Sequence, residues 1–214
     1  MPKIKINNAN IYYEDSAPND TQKPVMVFAH GLLWNTRIYD KQVEHFQDSY
    51  RCIAFDFRGQ GQSQITKDGY DMDTLADDAI GLLAALDIDS CHYVGLSMGG
   101  FVGQRIAIKK PELLNSLTLI DTSADAEDPD NIPGYKKLIT AIRWLGMKRV
   151  SKKVMPIMFG STFLTDKARK TDQKEWLAML NGNRKGGVVK ATMGVIERDA
   201  VYDQLDSITT PTLI

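Results

Sequence analysis

The sequence predicts an α/β fold in which a doubly wound, mostly parallel sheet carries an inserted group of helices. Short apolar runs alternate with segments of helical periodicity and no internal repeat is present, a pattern typical of parallel β–α units. Glycine and polar residues directly follow several apolar runs, where the carboxyl ends of parallel strands meet at one edge of a sheet. With 214 residues, 43% of them hydrophobic, the chain is long enough for one sizeable core.

The first part of the chain contains the predicted elements of this sheet. Alternating residues on either side of Asn8-Ala9 predict an opening hairpin, and continuous apolar runs predict strands that are buried on both faces. The pattern Thr74-x-x-Asp77 predicts the start of a helix. The predicted strands are residues 3–7, 10–14, 25–29, 52–55, 91–96 and 117–120, and the predicted helices are residues 36–46, 74–86 and 98–109.

The pattern changes at Ala124. As far as about Tyr202, helical stretches are rich in methionine, tryptophan and phenylalanine, and no convincing strand is visible. We interpret this segment as a helical cap above the strand ends, although any single one of these residues fits ordinary core packing equally well. The predicted division is a core at residues 1–123, a cap at 124–203 and a return to the sheet at 204–214. The acidic loop 125–130 is expected to be solvated, and Thr210–Ile214 to form a buried strand.

Composition excludes several classes of function. The net charge is -1, without a basic stripe, so we expect no nucleic-acid partner; the basic cluster at 148–153 is interpreted as one solvated helix face. The amino terminus lacks the apolar region of a signal peptide and no run of 18 apolar residues occurs, so we expect a cytoplasmic protein without a membrane partner. Cys52 and Cys91 are predicted to be buried core residues, and no residue spacing indicates a metal or organic cofactor.

Residues 95–100, Gly-Leu-Ser-Met-Gly-Gly, predict the position of the reactive side chain. They lie between a predicted strand and a predicted helix, so Ser97 occupies a sharp turn that exposes its hydroxyl. Such a turn requires small residues at Gly95 and Gly99, where strand and helix approach each other. The backbone N–H of Met98, at the start of the helix, points toward an oxygen that becomes negative when the serine attacks a carbonyl.

Residues at three other predicted strand ends share this edge of the sheet. They are His30-Gly31, Asp56 and Asp121, so that four strands place residues at one rim. The segment from Arg58 to Ser63 is interpreted as a glycine-dependent turn that borders the same rim, since it lacks the Gly-Lys-Ser/Thr ending of a phosphate-binding loop.

The chain resembles the α/β-hydrolase superfamily in its motifs and in their order. The motifs are HGLLWN, DFRGQGQS and GLSMGG, each of which follows a predicted strand, and a helical insertion precedes the segment TPTLI. The resemblance covers the whole chain. It is greatest to the bacterial branch that includes 3-oxoadipate enol-lactonases, small carboxylesterases and cofactor-free perhydrolases or haloperoxidases. The resemblance implies an α/β-hydrolase fold, with Ser97 as the nucleophile and the N–H groups of Met98 and Leu32 as the oxyanion hole.

The resemblance also assigns supporting roles around the serine. His30 is expected to be structural and to hold the turn at Gly31 and Leu32. Gly31 and Trp34 are expected to contact the substrate, although Trp34 fits simple packing under the cap equally well. Asp121 is a possible catalytic acid, because some members of the superfamily take the acid from the end of this strand; a carboxylate there can equally cap the following turn.

One departure from the family pattern concerns the base. Serine hydrolases of this fold have the order Ser, then Asp or Glu, then His, whereas the three histidines here, His30, His45 and His92, all precede Ser97. His92 lies roughly 16 Å up the same strand at about 3.3 Å per residue. We therefore expect a truncated sequence whose acid and histidine lie beyond Ile214, so that the 214 residues alone are inactive. The alternative is a degenerate hydrolase that binds without turnover.

The function that this predicts is hydrolysis of a small carboxylic ester, lactone or related acyl compound through an acyl-enzyme at Ser97. One alternative is perhydrolase or haloperoxidase chemistry at the same serine. The other is a non-catalytic ligand-binding protein on the same fold. Dehalogenase and epoxide hydrolase chemistry are disfavoured, because those relatives use an aspartate where Ser97 stands. The sequence indicates neither the substrate nor the oligomeric state.

Overall fold

A computed structural model describes residues 2–20 and 22–214. Within these residues, seven strands form one sheet in the spatial order β1-β2-β4-β3-β5-β6-β7. The first hairpin pairs in the antiparallel sense, as does β2 with β4, whereas β4, β3, β5, β6 and β7 run parallel. The strands are β1 Lys3–Ile6, β2 Ala9–Asp15, β3 Val25–Ala29, β4 Arg51–Phe55, β5 Cys91–Leu96, β6 Leu114–Ile120 and β7 Thr212–Leu213. The predicted doubly wound, mostly parallel sheet is confirmed.

The helices agree with the predicted ones except at their starts. The helix predicted at 36–46 begins with a short 3-10 turn at 36–39 before α1. The helix predicted from Thr74 begins at Met72, because Asp71 is the residue that caps it: its carboxylate accepts the N–H of Thr74 at 2.8 Å. The helices are α1 Asp40–Phe46, α2 Met72–Ala85, α3 Met98–Lys109, α4 Ile132–Leu145, α5 Met147–Met158, α6 Ser161–Thr165, α7 Lys170–Gly182 and α8 Lys185–Ile196.

The register of the parallel strands brings the predicted rim residues to one edge. Ala29, the last residue of β3, lies opposite both Phe55 of β4 and Gly95 of β5. On the other side of β5, Leu96 lies opposite Ile120 of β6. The residues that follow these four strand ends therefore share the carboxyl edge of the sheet, as predicted for a parallel arrangement.

Helices cover the sheet on both faces. Helices α2 and α3 form the largest apolar cluster with one face, and α1 packs on the other through a smaller cluster around Phe28 and Tyr39. A further cluster joins α4, α5, α7 and α8 to the loop after β3. Helix α8 contributes to two of these clusters, since Val195 packs with the sheet and Val188 packs with the other helices. The division between core and cap stays a prediction.

Two expectations about burial are wrong. The strand predicted at the end of the chain does form and pairs with β6, but Leu213 is 66% exposed, because the described residues leave most of its side chain uncovered. The acidic loop is not wholly solvated: the side chain of Glu127 is buried in an ion pair with Arg198, which also lies over the ring of Phe101. The sequence pattern shows no partner for Glu127, because Arg198 is 71 residues away.

The expectations about the cysteines and about the basic cluster are confirmed. Cys52 and Cys91 are free and buried. The basic residues Lys148, Arg149, Lys152 and Lys153 are exposed on α5. In the part of the chain that the structure describes, no helix has both the length and the apolar character needed to cross a membrane.

Candidate active site

Ser97 lies at the junction of β5 and α3 in a strained backbone conformation. Its φ is 50° and its ψ is -110°, a region that non-glycine residues rarely occupy and that costs about 1–3 kcal/mol. The surrounding hydrogen bonds hold this conformation: the Ser97 N–H donates to Ile120 O at 2.8 Å, and Thr122 Oγ1 donates to Ser97 O at 2.8 Å. The Ser97 hydroxyl makes no hydrogen bond to any described residue, so it is available for reaction.

The two glycines that flank the serine permit this turn. A Cβ at Gly95 would lie 2.4 Å from the carbonyl oxygen of Gly99. A Cβ at Gly99 would lie 2.1 Å from the carbonyl oxygen of Ala29 on the neighbouring strand β3. Both distances are far below van der Waals contact with a backbone atom, which has little room to move. The start of α3 can therefore approach the sheet only where these residues have no side chain.

The loop after β3 passes directly beside the serine. A Cβ at Gly31 would lie 3.4 Å from the Cβ of Ser97, which places the following peptide next to this serine. The backbone N–H groups of Leu32 and Met98 donate hydrogen bonds to no residue that the structure describes. Two unpaired donors beside a serine hydroxyl can stabilise an oxyanion that develops when the serine attacks a carbonyl.

Gln60 supports this loop, and the sequence analysis did not identify it. Its side chain is buried; Oε1 accepts the N–H of Leu33 at 2.7 Å and Nε2 lies 3.7 Å from the sulfur of Met98. The side chain thus touches both peptide segments that carry the free N–H groups. The glycines at 59 and 61, both with positive φ, predicted the turn, but nothing in the local pattern indicates where the Gln60 side chain points.

His30 and Asp56 hold the base of the same loop. His30 is fully buried, its Nδ1 lies 2.7 Å from Gly31 O, and its Nε2 accepts the N–H of Phe57 at 3.1 Å. Because Nε2 is an acceptor, Nδ1 carries the proton and donates to the carbonyl. The Asp56 carboxylate accepts the N–H of Thr36 at 2.8 Å. These bonds fix the start and the end of the turn that contains the Leu32 N–H.

The pKa values of these two side chains are shifted in opposite directions by burial. Burial lowers the pKa of His30 from 6.5 to about 4. Burial raises the pKa of Asp56 from 3.8 to about 6, against the lowering effect of the backbone N–H groups that it accepts. Although their side chains approach to 4.0 Å, both are neutral at about pH 5, and they form no ion pair there.

Ser97 opens into a cavity of about 630 Å³ between the strand ends and helices α4, α5 and α7. The lining is mostly apolar, and its aromatic part is formed by Trp34, Phe159 and Trp176, whose ring centroids lie 5.5–5.9 Å apart. The full lining is Gly31, Leu32, Leu33, Trp34, Ile38, Leu96, Ser97, Asp121, Asn131, Gly134, Tyr135, Leu138, Val154, Ile157, Met158, Phe159 and Trp176. Gly31, Trp34 and Asp121 thus share one cavity with the serine.

The three histidines are all engaged or distant in this structure. Both ring nitrogens of His30 are used by the loop, as described above. His92 Nδ1 lies 2.8 Å from the hydroxyl of Ser116, within the sheet. His45 is exposed on α1, with its ring against Phe46. None of the three lines the cavity with Ser97. Across residues 2–20 and 22–214, no cluster of three or more His, Cys, Asp or Glu side chains suits a metal ion.

Comparison with protein families gives a match over residues 24–143 to a model described as the alpha/beta hydrolase fold. The chain is similar to 3-oxoadipate enol-lactonase 2 of Acinetobacter baylyi, with 37% identity over 102 residues, which cover 48% of this chain and 38% of that protein. It is also similar to a non-heme chloroperoxidase of Burkholderia pyrrocinia, with 41% identity over 102 residues, covering 47% of this chain and 36% of that protein. The matched segments thus span less than half the length of both relatives.

Among solved structures, the chain resembles the enol-lactonase from Burkholderia xenovorans LB400. The TM-score is 0.90 and the alignment covers 99% of this chain and 79% of that one. The sequence identity is 21%, so this likeness concerns the fold.

Proposed function

The chain belongs to the α/β-hydrolase fold family, and from this premise we propose that it is a serine hydrolase acting on a small carboxylic ester, lactone or related acyl compound. The observation that carries the proposal is the strained turn at Ser97, whose free hydroxyl opens into an apolar cavity. Similarity to an enol-lactonase in the first part of the chain supports it further.

In the proposed reaction, the oxygen of Ser97 attacks the acyl carbonyl and the leaving alcohol departs with a proton. The N–H groups of Leu32 and Met98 stabilise the oxyanion of the tetrahedral intermediate; loss of one such donor typically raises a barrier by about 2.7–4 kcal/mol. Water then hydrolyses the acyl-enzyme and releases the acid. Because a serine hydroxyl is a weak nucleophile at neutral pH, the reaction needs a general base. None of the three histidines described above lines the cavity with Ser97, so we expect another group to act as the general base. Asp121 is one candidate for the acidic residue that would support this base.

The proposal is tested with a fluorophosphonate probe, which reacts with activated serines, on protein expressed from its complete gene. We expect labelling that disappears in Ser97→Ala. The matched control is Ser161→Ala, which removes an exposed hydroxyl outside the cavity and should label as the unmodified protein does. Absence of labelling in correctly folded protein would contradict a hydrolase and favour a ligand-binding protein on the same fold.

Perhydrolase chemistry at the same serine is a second candidate, favoured by the similarity to a non-heme chloroperoxidase. In that reaction hydrogen peroxide replaces water as the acceptor of the acyl group, so acetate and peroxide give peracetate and water. Peracid formation from acetate and peroxide, lost in Ser97→Ala, distinguishes this candidate from a hydrolase that forms none.

A further inference from the structure

The cavity around Ser97 has an uneven distribution of charge. Among its lining residues in the described part of the chain, none is lysine, arginine or histidine, and the one ionisable carboxylate is Asp121. The remaining polar side-chain groups are the hydroxyls of Ser97 and Tyr135, the amide of Asn131 and the indole N–H groups of Trp34 and Trp176. A ligand with a negative group therefore meets no cationic partner in this lining.

Helix α5 shows why the lining lacks cations although the surrounding sequence is basic. The helix directs Val154, Ile157 and Met158 to the cavity. Its lysines and its arginine occupy other positions and are exposed to solvent. The basic cluster that the sequence displays is thus a solvated helix face, and the apolar face of the same helix contacts the ligand space.

The aromatic part of the lining is suited to an uncharged chain or ring. Trp34 is 5% exposed and packs edge-on against both Phe159 and Trp176, with interplanar angles of 79° and 82°. Phe159 and Trp176 are only partly buried, so their rings leave an apolar surface in the cavity that gains free energy by covering methylene groups. A carboxylate placed there would lose much of its hydration without gaining a counter-ion.

We propose that this site takes neutral acyl compounds with an apolar acyl chain, and that it discriminates against those with a carboxylate at the far end of that chain. The inference rests on the proposed function for the position of the acyl carbonyl, next to Ser97. The discrimination itself follows from the absence of a cationic side chain in the described lining, which leaves a buried carboxylate without a counter-ion.

The test measures binding, so that it does not depend on turnover. Trp34 and Trp176 line the cavity, whereas Trp144 is 83% exposed and lies outside the lining. In Trp144→Phe/Ser97→Ala protein, the remaining fluorescence therefore reports on the cavity. The probes are ethyl hexanoate and monoethyl adipate, which have the same ester and acyl length and differ in the terminal carboxylate. We expect ethyl hexanoate to bind at least about tenfold more tightly at pH 7.5.

Adding a cation to the cavity should reverse this preference in part. Ile157 lines the cavity and is 80% exposed, so that a lysine there keeps its charge hydrated and leaves the fold intact. We expect Ile157→Lys, in the same background, to reduce the discrimination to about threefold or less by tightening monoethyl adipate binding. The matched control is Ile157→Gln, which removes the same apolar surface without adding charge and should retain the preference.

The outcomes separate this inference from the proposed function. Equal or tighter binding of monoethyl adipate in the starting background would overturn the inference, as would equal effects of the lysine and glutamine variants. Failure of both esters to change the fluorescence would overturn it too, even if Ser97 reacts with a fluorophosphonate. Retained discrimination in a protein whose serine does not react would support the inference for a binding cavity and contradict hydrolysis.

Discussion

At the residue scale, the site depends on side chains that support the backbone of the loop beside the serine. Gln60 contacts both segments with free N–H groups, and His30 holds the turn through two hydrogen bonds. A neutral His30 is needed for this arrangement, because its Nε2 acts as an acceptor; burial, which lowers its pKa to about 4, keeps it neutral at physiological pH.

The opposite pKa shifts of His30 and Asp56 predict a pH effect on stability. Between about pH 4 and 6.5, His30 binds fewer protons in the folded than in the unfolded state, so its contribution to the free energy of unfolding rises with pH. Between pH 3.8 and about 6, Asp56 binds more protons in the folded state, so its contribution falls with pH. In the unmodified protein the two contributions oppose each other.

Asp56→Asn should therefore unmask the contribution of His30. We expect its free energy of unfolding to rise more steeply from pH 4 to 6.5 than that of the unmodified protein, by up to about 3 kcal/mol. Urea unfolding followed by fluorescence across this range measures the slope. The control, Asp48→Asn, changes an exposed carboxylate and should leave the slope as it is. Parallel profiles for Asp56→Asn and the unmodified protein would contradict the assigned shifts.

At the element scale, sequence patterns were most informative where they are local. The pattern of apolar residues predicted the bounds of β3, β4 and α3 within a residue or two. A continuous apolar run indicates a strand buried on both faces, and apolar residues at helical spacing indicate a helix, so both are visible in the sequence. The start of α2 was missed because two residues three positions apart, Asp71 and Thr74, both offer a capping oxygen. The exposed state of β7 depends on which residues cover it, and its apolar composition does not contain that information.

The contact between α3 and the sheet gives a prediction at this scale. Gly99→Ala places a Cβ 2.1 Å from the carbonyl oxygen of Ala29, so that the helix start must move away from β3. We expect a loss of about 3 kcal/mol in the free energy of unfolding, measured by urea denaturation. In the control, Gly182→Ala, the added Cβ meets no atom within 4 Å, and stability should be unchanged or up to about 1 kcal/mol greater. Equal stabilities of the two variants would contradict the close approach.

At the scale of the whole molecule, α8 connects the sheet with the helices above it. A Cβ at Gly187 would meet the Gly59 carbonyl oxygen and one at Gly194 would meet that of Tyr70, so this helix lies directly against the loops after β4. Nearby, Asn183 donates to Leu33 O at 2.8 Å, which links the end of α7 to the loop beside the serine. The segment from 124 to 203 is thus tied to the site at several points.

These contacts predict that the helices of residues 124–203 differ in how well their backbone amides are protected from hydrogen exchange. We expect the backbone amides of α8 to exchange with deuterium as slowly as those of β3 and β5, because α8 shares their apolar cluster. The amides of α6 and α7, which contribute few fully buried residues, should exchange faster. Hydrogen exchange followed by mass spectrometry of peptic peptides resolves these segments. Fast exchange throughout α8 would show that it opens with the other helices, as a separate cap of residues 124–203 predicts.

The sequence by itself determined the parallel sheet and the position of Ser97 between β5 and α3, because these follow from short-range periodicity and from glycines two residues either side of the serine. Its motifs also resembled the α/β-hydrolase superfamily, and the match over residues 24–143 shows that family. The tertiary structure decided the supporting role of Gln60, the burial of Glu127 and the absence of cationic side chains from the described lining of the cavity. Those features join residues far apart in the chain, such as Glu127 with Arg198, 71 positions away. Their side-chain directions depend on packing between elements, which no local pattern specifies.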